Sequence, residues 1–178
     1  MKDCAVFEPW PFDKKMFSFK TNGPALRCKV AVAISTGFIV WVNGPFRAGK
    51  PDSKIFKEGL RQCLLDDERV EVDGGHRGDD KLMTPGMGNT SQFRKQKSVI
   101  CRRHENVNSR LKMFNVTTSH FRHVKPNNRF MEKHKMCFDS VAVITQLKLE
   151  AGGEQLHAVD CDENHCHQKW STLHALAV

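Results

Sequence analysis

The chain has 178 residues, 39% of them hydrophobic, and a mean hydropathy of −0.50. That length suits one well-buried domain and is short for two. No run approaches the ~18 apolar residues of a membrane span, and the opening Met1-Lys2-Asp3-Cys4-Ala5-Val6 has no signal-peptide core. Seven cysteines, an odd number, fit free thiols in a reducing compartment better than a disulfide framework. The formal charge of +8 is local. Between Arg94 and Lys135 twelve Lys/Arg face two acids, a net of +10, so the rest of the chain carries −2. Such a block attracts polyanions, nucleic acid first; the alternative is an ordinary solvated basic face.

In chain order, Cys4-Ala5-Val6-Phe7 reads as the end of a strand whose beginning is missing. The prolines of Glu8-Pro9-Trp10-Pro11-Phe12-Asp13 forbid regular structure there. After the turn Asn22-Gly23-Pro24, residues Leu26 to Ile34 alternate and become nearly all apolar, as a central strand does. Thr36-Gly37 turns the chain into a returning strand, Phe38 to Val42, which Asn43-Gly44-Pro45 closes. A helix is predicted from Ser53 to Leu65, with Asp52 or Ser53 as its N-cap. Residues Asp79 to Ser91 read as a surface loop, and helices follow over Ser98–Phe114 and Phe130–Glu150, the second stopped by Gly152-Gly153. Thr117 to Asn128 connects the two helices. Residues 1–152 form the predicted domain, and 153–178 are read as a weakly ordered tail.

The chemistry centres on Arg69-Val70-Glu71-Val72-Asp73-Gly74-Gly75-His76-Arg77-Gly78. Val70 and Val72 alternate with charged residues, the signature of a half-buried strand, which then breaks into a glycine turn. A carboxylate at such a strand end is well placed to hold a metal ion. Glu105, 32 positions on, is the natural partner for Asp73. At 100° per residue it flanks the apolar stripe of its helix, with Arg102 and Asn108 three residues to either side. For each acid alone, a solvated surface role is the plain alternative. The order strand, strand, strand, helix, strand, then two helices implies an α/β sheet with helices packed on it. His157, Cys161, His165, Cys166 and His167 could bind zinc, but their spacing matches no common finger and the frayed-tail reading is preferred.

Several of these segments resemble one family. Glu8-Pro9-Trp10-Pro11-Phe12-Asp13-Lys14-Lys15, Val40-Trp41-Val42-Asn43-Gly44-Pro45-Phe46 and Pro51-Asp52-Ser53-Lys54-Ile55-Phe56 are similar to the DDE-superfamily endonuclease domain of Harbinger/PIF-like transposases. Asp73-Gly74-Gly75-His76-Arg77-Gly78 is close to that family's Asp-x-Gly-Tyr-Arg-Gly. Arg103 to Lys112 looks like its arginine/glutamate helix, and Phe121-Arg122-His123 and Val141 to Leu147 continue the likeness, which covers about residues 3–150. The resemblance implies an RNase H-like mixed sheet flanked by helices, with cleavage and joining of DNA phosphodiesters as the activity. Asp73 and Glu105 would be the second and third acids of the triad, holding Mg²⁺ or Mn²⁺ through hard oxygen ligands. Two such ions ~4 Å apart would stabilise the attacking and leaving oxygens of an in-line displacement. Arg94, Lys95, Lys97, Arg102, Arg103, Arg110, Lys112 and Arg122 are the predicted phosphate contacts, DNA the partner, and a eukaryotic nucleus the location.

Two departures stand out. His76 takes the place of the family's aromatic residue, and the first catalytic aspartate belongs about three residues before Asp3, where this chain has none. Asp3 itself would lie ~10 Å along the strand and on the other face. The family's upstream helical DNA-binding region is also missing, so a separate DNA-binding partner protein is an expectation. Three classes stay open: a metal-dependent nuclease, a DNA-binding remnant that no longer cuts, and a protein-interaction remnant on the old scaffold.

Overall fold

The computed structural model describes residues 2–7, 13–72, 78–83, 91–121, 129–152 and 175–177, with backbone alone for residues 2, 91–97, 99 and 175–177. It is a mixed α/β structure. Strand β1 (Lys2–Ala5) is followed by a 3-10 turn at Lys14–Met16 and the short β2 (Phe17–Ser18). The long β3 (Gly23–Val32) and β4 (Ile39–Arg47) form the expected hairpin, pairing Val30 with Val42 and Ala31 with Trp41. Gly37, at φ 75°, makes the turn between them.

Strand β4 runs through Asn43-Gly44-Pro45 instead of ending there. A register shift between Arg27 and Lys29 lets the extra residue bulge, and a proline is tolerated because β4 pairs only with β3 among the described residues. Gly44 has φ 127°, and a Cβ there would sit 2.9 Å from the Arg27 carbonyl oxygen. The predicted helix 53–65 divides into α1 (Asp52–Glu58) and α2 (Leu60–Cys63) at Gly59. There the chain passes so close to β4 that a Cβ would meet Asn43 Nδ2 at 2.9 Å and the Trp41 ring at 3.0 Å.

Strand β5 (Val70–Glu71) and β6 (Leu82–Met83) pair in parallel, so the expected loop 79–91 contains a strand. Buried Lys81 fastens this corner, its Nζ donating to the Leu65 carbonyl at 2.7 Å and the Asp66 carbonyl at 2.6 Å. Helix α3 (Ser91–Lys112) starts seven residues earlier than its apolar stripe announces. The short α4 (Asn115–Thr118) and α5 (Phe130–Glu150) follow. The last strand, β7 (Ala175–Ala177), falls in the segment expected to be weakly ordered.

β7 is central. It pairs antiparallel with β3 (Ala31↔Ala177, Val32↔Leu176) and parallel with β5 (Val70↔Ala175, Glu71↔Leu176). β1 also pairs antiparallel with β3, lower down, from Lys2↔Cys28 to Ala5↔Ala25. Since β4 takes the other edge of β3 along both stretches, β1 and β7 lie in one row and run the same way. The sheet therefore reads β4, β3, the β1/β7 row, β5, β6. β7 thus occupies the same row as β1, beside the C-terminal half of β3.

Alternation sorts the side chains. Cys28, Val30 and Val32 of β3 pack with Ile100, Val107 and Leu111 of α3 and Phe138, Val141 and Leu149 of α5. Ala31, Val70 and Val72 pack on the opposite face with Phe56 and Leu60. Burying a side chain such as Leu111, 1% exposed, contributes about 2 kcal/mol. A third cluster, Val6, Met16 and Leu26, receives Phe121, Phe130 and Met131. Among the described residues no helix is long and apolar enough to cross a membrane.

Candidate functional site

Val70 and Val72 point toward α1 and α2, so Glu71 between them points to the α3 and α5 face, where it is 3% exposed. The ladder continues to Val72, whose N–H donates to the Met83 carbonyl at 3.0 Å. The next residue, Asp73, lies outside the described residues, as do Gly74 to Arg77. What is described is the strand that delivers the chain to it and the helix that carries its expected partner.

On α3 the buried stripe is Ile100, Val107 and Leu111, and Glu105 is exposed beside it. His104 and Asn108, one turn apart, are half-buried. Asn108 Oδ1 is a buried oxygen with no hydrogen-bond partner among the described residues. Sequence reading placed Asn108 on the Glu105 face without assigning it a role; only its burial singles it out. Among the described residues no three His, Cys, Asp or Glu side chains form a metal-binding group. The cluster at 157–167 lies outside them.

The predicted phosphate contacts divide. Arg102 and Lys112 are exposed on α3, and Arg110 donates from Nε to Asn106 Oδ1 at 2.9 Å. Arg103 serves the fold instead. Its Nη1 donates to the Ile34 carbonyl and, at 2.9 Å, to the Ser35 carbonyl, tying α3 to the end of β3. The side chains of Arg94, Lys95 and Lys97, and all of Arg122, lie outside the described residues.

Asp3 is engaged on the other face. It stands opposite Arg27 in the β1–β3 register, accepts from Arg27 Nε at 2.9 Å and from Ser18 Oγ at 2.7 Å, and its side chain is 2% exposed. Burial pushes its pKa up, but the bonds from Arg27 and Ser18 outweigh that and leave it below the usual carboxylate range. Arg27 Nη1 at 3.0 Å and Lys29 Nζ at 3.1 Å share Asp52 Oδ1 at the start of α1, completing a partly buried network of two cations and two anions. A small pocket beside it is lined by Lys29, Trp41, Asp52, Phe56, Leu60 and Val72, away from α3. The alternation of sequence had already placed Asp3 off the catalytic face; the network it joins was not visible there.

Cys28, Cys63 and Cys137 are free thiols. No protein-family model, curated protein or solved structure matches the chain.

Proposed function

We propose that the chain is an RNase H-like, DDE-type endonuclease domain that binds DNA and holds a divalent ion through Asp73 and Glu105. The observation that carries this reading is the order of the sheet. An antiparallel set, β1, β3 and β4, is continued by the parallel pair β5 and β6, and β5 leads to Asp73. Glu71 marks the face of that strand which looks toward α3, the helix of Glu105.

The donor chemistry fits a hard divalent ion. Asp73 and Glu105 offer carboxylates, and Asn108 Oδ1, three residues from Glu105, is a buried oxygen in search of a cation or a donor. Mg²⁺ or Mn²⁺ bound there would polarise a phosphodiester oxygen and activate water. Exposed Arg102 and Lys112 would hold the DNA backbone beside it. Asp3 does not join these acids, because Arg27 and Ser18 hold it on the opposite face.

Purified protein titrated with duplex DNA, and incubated with supercoiled plasmid and Mn²⁺, tests the reading. The expected result is binding that weakens ~12-fold between 50 and 200 mM salt for the two phosphate contacts of Arg102 and Lys112. Salt-insensitive or absent binding contradicts it and favours a protein-interaction remnant. Nicking abolished by both Asp73→Ala and Glu105→Ala would show a working nuclease. A nuclear location belongs to the same reading and is checked by imaging the tagged chain.

A further inference from the structure

Helix α5 is apolar on two sides. One side carries the buried His134, Phe138, Val141, Thr145 and Leu149, of which Phe138, Val141 and Leu149 pack with β3 and α3. About half a turn round the helix, at ~100° per residue, lies a second stripe. Met136, Val143 and Leu147 are 70%, 58% and 57% exposed there, with Ile144 beside them at 42%. A helix facing water on one side normally carries polar residues on it, so this apolar stripe marks a contact surface. Its spacing is specific. Lys133, Met136, Ser140, Val143, Leu147 and Glu150 are all exposed and follow at steps of three, four, three, four and three. That is the 3.5-residue repeat with which one helix lies along another.

The two ends of the stripe carry opposite charges, and these select the partner. Laid antiparallel on a second α5, Met136 meets Leu147, Ser140 meets Val143, and Lys133 meets Glu150 at both ends. Laid parallel, Lys133 would meet Lys133 and Glu150 would meet Glu150, a repulsion at each end. The charges on the flanks are engaged within the chain: Lys135 Nζ lies 2.6 Å from Asp139 Oδ2, and Lys148 Nζ lies 5.5 Å from the centre of the Phe114 ring. Glu150 accepts from Gln146 Nε2 at 2.6 Å, a neutral donor that leaves its charge uncompensated.

We propose that the open face of α5 docks a second copy of this chain, the two helices packing antiparallel about a two-fold axis between Ser140 and Val143. The stripe is complementary to itself, as a two-fold interface must be. Small Ser140 beside the axis lets the helices approach, Met136 and Leu147 cover one another, and Lys133 and Glu150 close each end. The pairing is independent of the metal and DNA readings, which concern β5 and α3.

Sedimentation equilibrium of the full chain tests this, in low salt to keep the end charges unscreened and with reductant to prevent thiol cross-links. The wild type should be mainly dimeric at about 100 μM. Val143→Glu/Leu147→Glu should be monomeric there, with wild-type helix content. Lys133→Glu and Glu150→Lys each put like charges at both ends of the antiparallel pair, and each dimer should dissociate about tenfold more readily. An equimolar mixture of these two variants restores opposite charges at both ends and should regain the wild-type dimer fraction. The double variant Lys133→Glu/Glu150→Lys should do the same. Should the glutamates in the stripe unfold the chain, the charge series decides. A monomeric wild type, a dimer indifferent to the stripe or to either single reversal, or a mixture no tighter than its components overturns the proposal.

Discussion

At the scale of single residues, two buried ionisable groups govern how the fold answers to pH and mutation. His134 is 2% exposed and stacks edge-on against Phe121 at 4.9 Å, and burial pushes its pKa down from 6.5 to about 4. A base with a depressed folded pKa takes up its proton more readily when unfolded. Stability is therefore full above pH 6.5 and falls as pH drops from 6.5 toward 4. The expected loss between pH 7.5 and pH 5 is about 2 kcal/mol, read as a lower urea midpoint, and His134→Leu should flatten that part of the profile. Asp3 is the second case. Asp3→Ala leaves Arg27 with Asp52 and the Lys50 carbonyl, and a cost of about 3 kcal/mol is expected in denaturant unfolding. Mn²⁺ affinity measured on the folded variant should not change; a loss of metal binding without a loss of stability would move Asp3 into the site. Neither partner was evident from spacing, since Arg27 and Ser18 meet Asp3 only through strand pairing.

At the scale of elements, legibility followed periodicity. The β3–β4 hairpin and α5 have strong alternation or a long apolar run, and α5 begins and ends where the pattern does. The first two turns of α3, Ser91 to Lys97, carry one apolar residue and announce nothing. Gly59 splits the predicted helix because of its approach to Asn43 and Trp41, a tertiary fact. β6 and β7 are two and three residues long and exist through parallel or long-range pairing, which no local pattern encodes. For the site, the sequence supplied the acids and the helix face, while the buried state of Glu71 and Asn108 needed the fold. The same helix separates two arginine roles. Lys112→Ala and Arg102→Ala should each lower the salt slope of DNA binding by about 1 with unfolding midpoints unchanged. Arg103→Ala, which releases the Ile34 and Ser35 carbonyls, should instead lower stability by about 1–3 kcal/mol. A salt slope that drops for Arg103→Ala with no loss of stability would reverse that assignment.

At the scale of the whole molecule, the sheet places its ion-pair network and Glu71 on separate faces. The network of Asp3, Arg27, Lys29 and Asp52 lies on the side of α1, and Glu71 points toward α3 and α5. The central claim is that Asp73 and Glu105 hold one divalent ion between them. Two carboxylates bind a divalent ion weakly, in the range of ~10⁻⁴–10⁻³ M found for sparsely charged oxygen sites. Mn²⁺ titration followed by electron paramagnetic resonance of the free ion, on wild type, Asp73→Asn and Glu105→Gln, measures this most directly. The expected result is a single weak site in the wild type that disappears in both variants while their unfolding midpoints hold. Mn²⁺ binding that survives either substitution unchanged would contradict it.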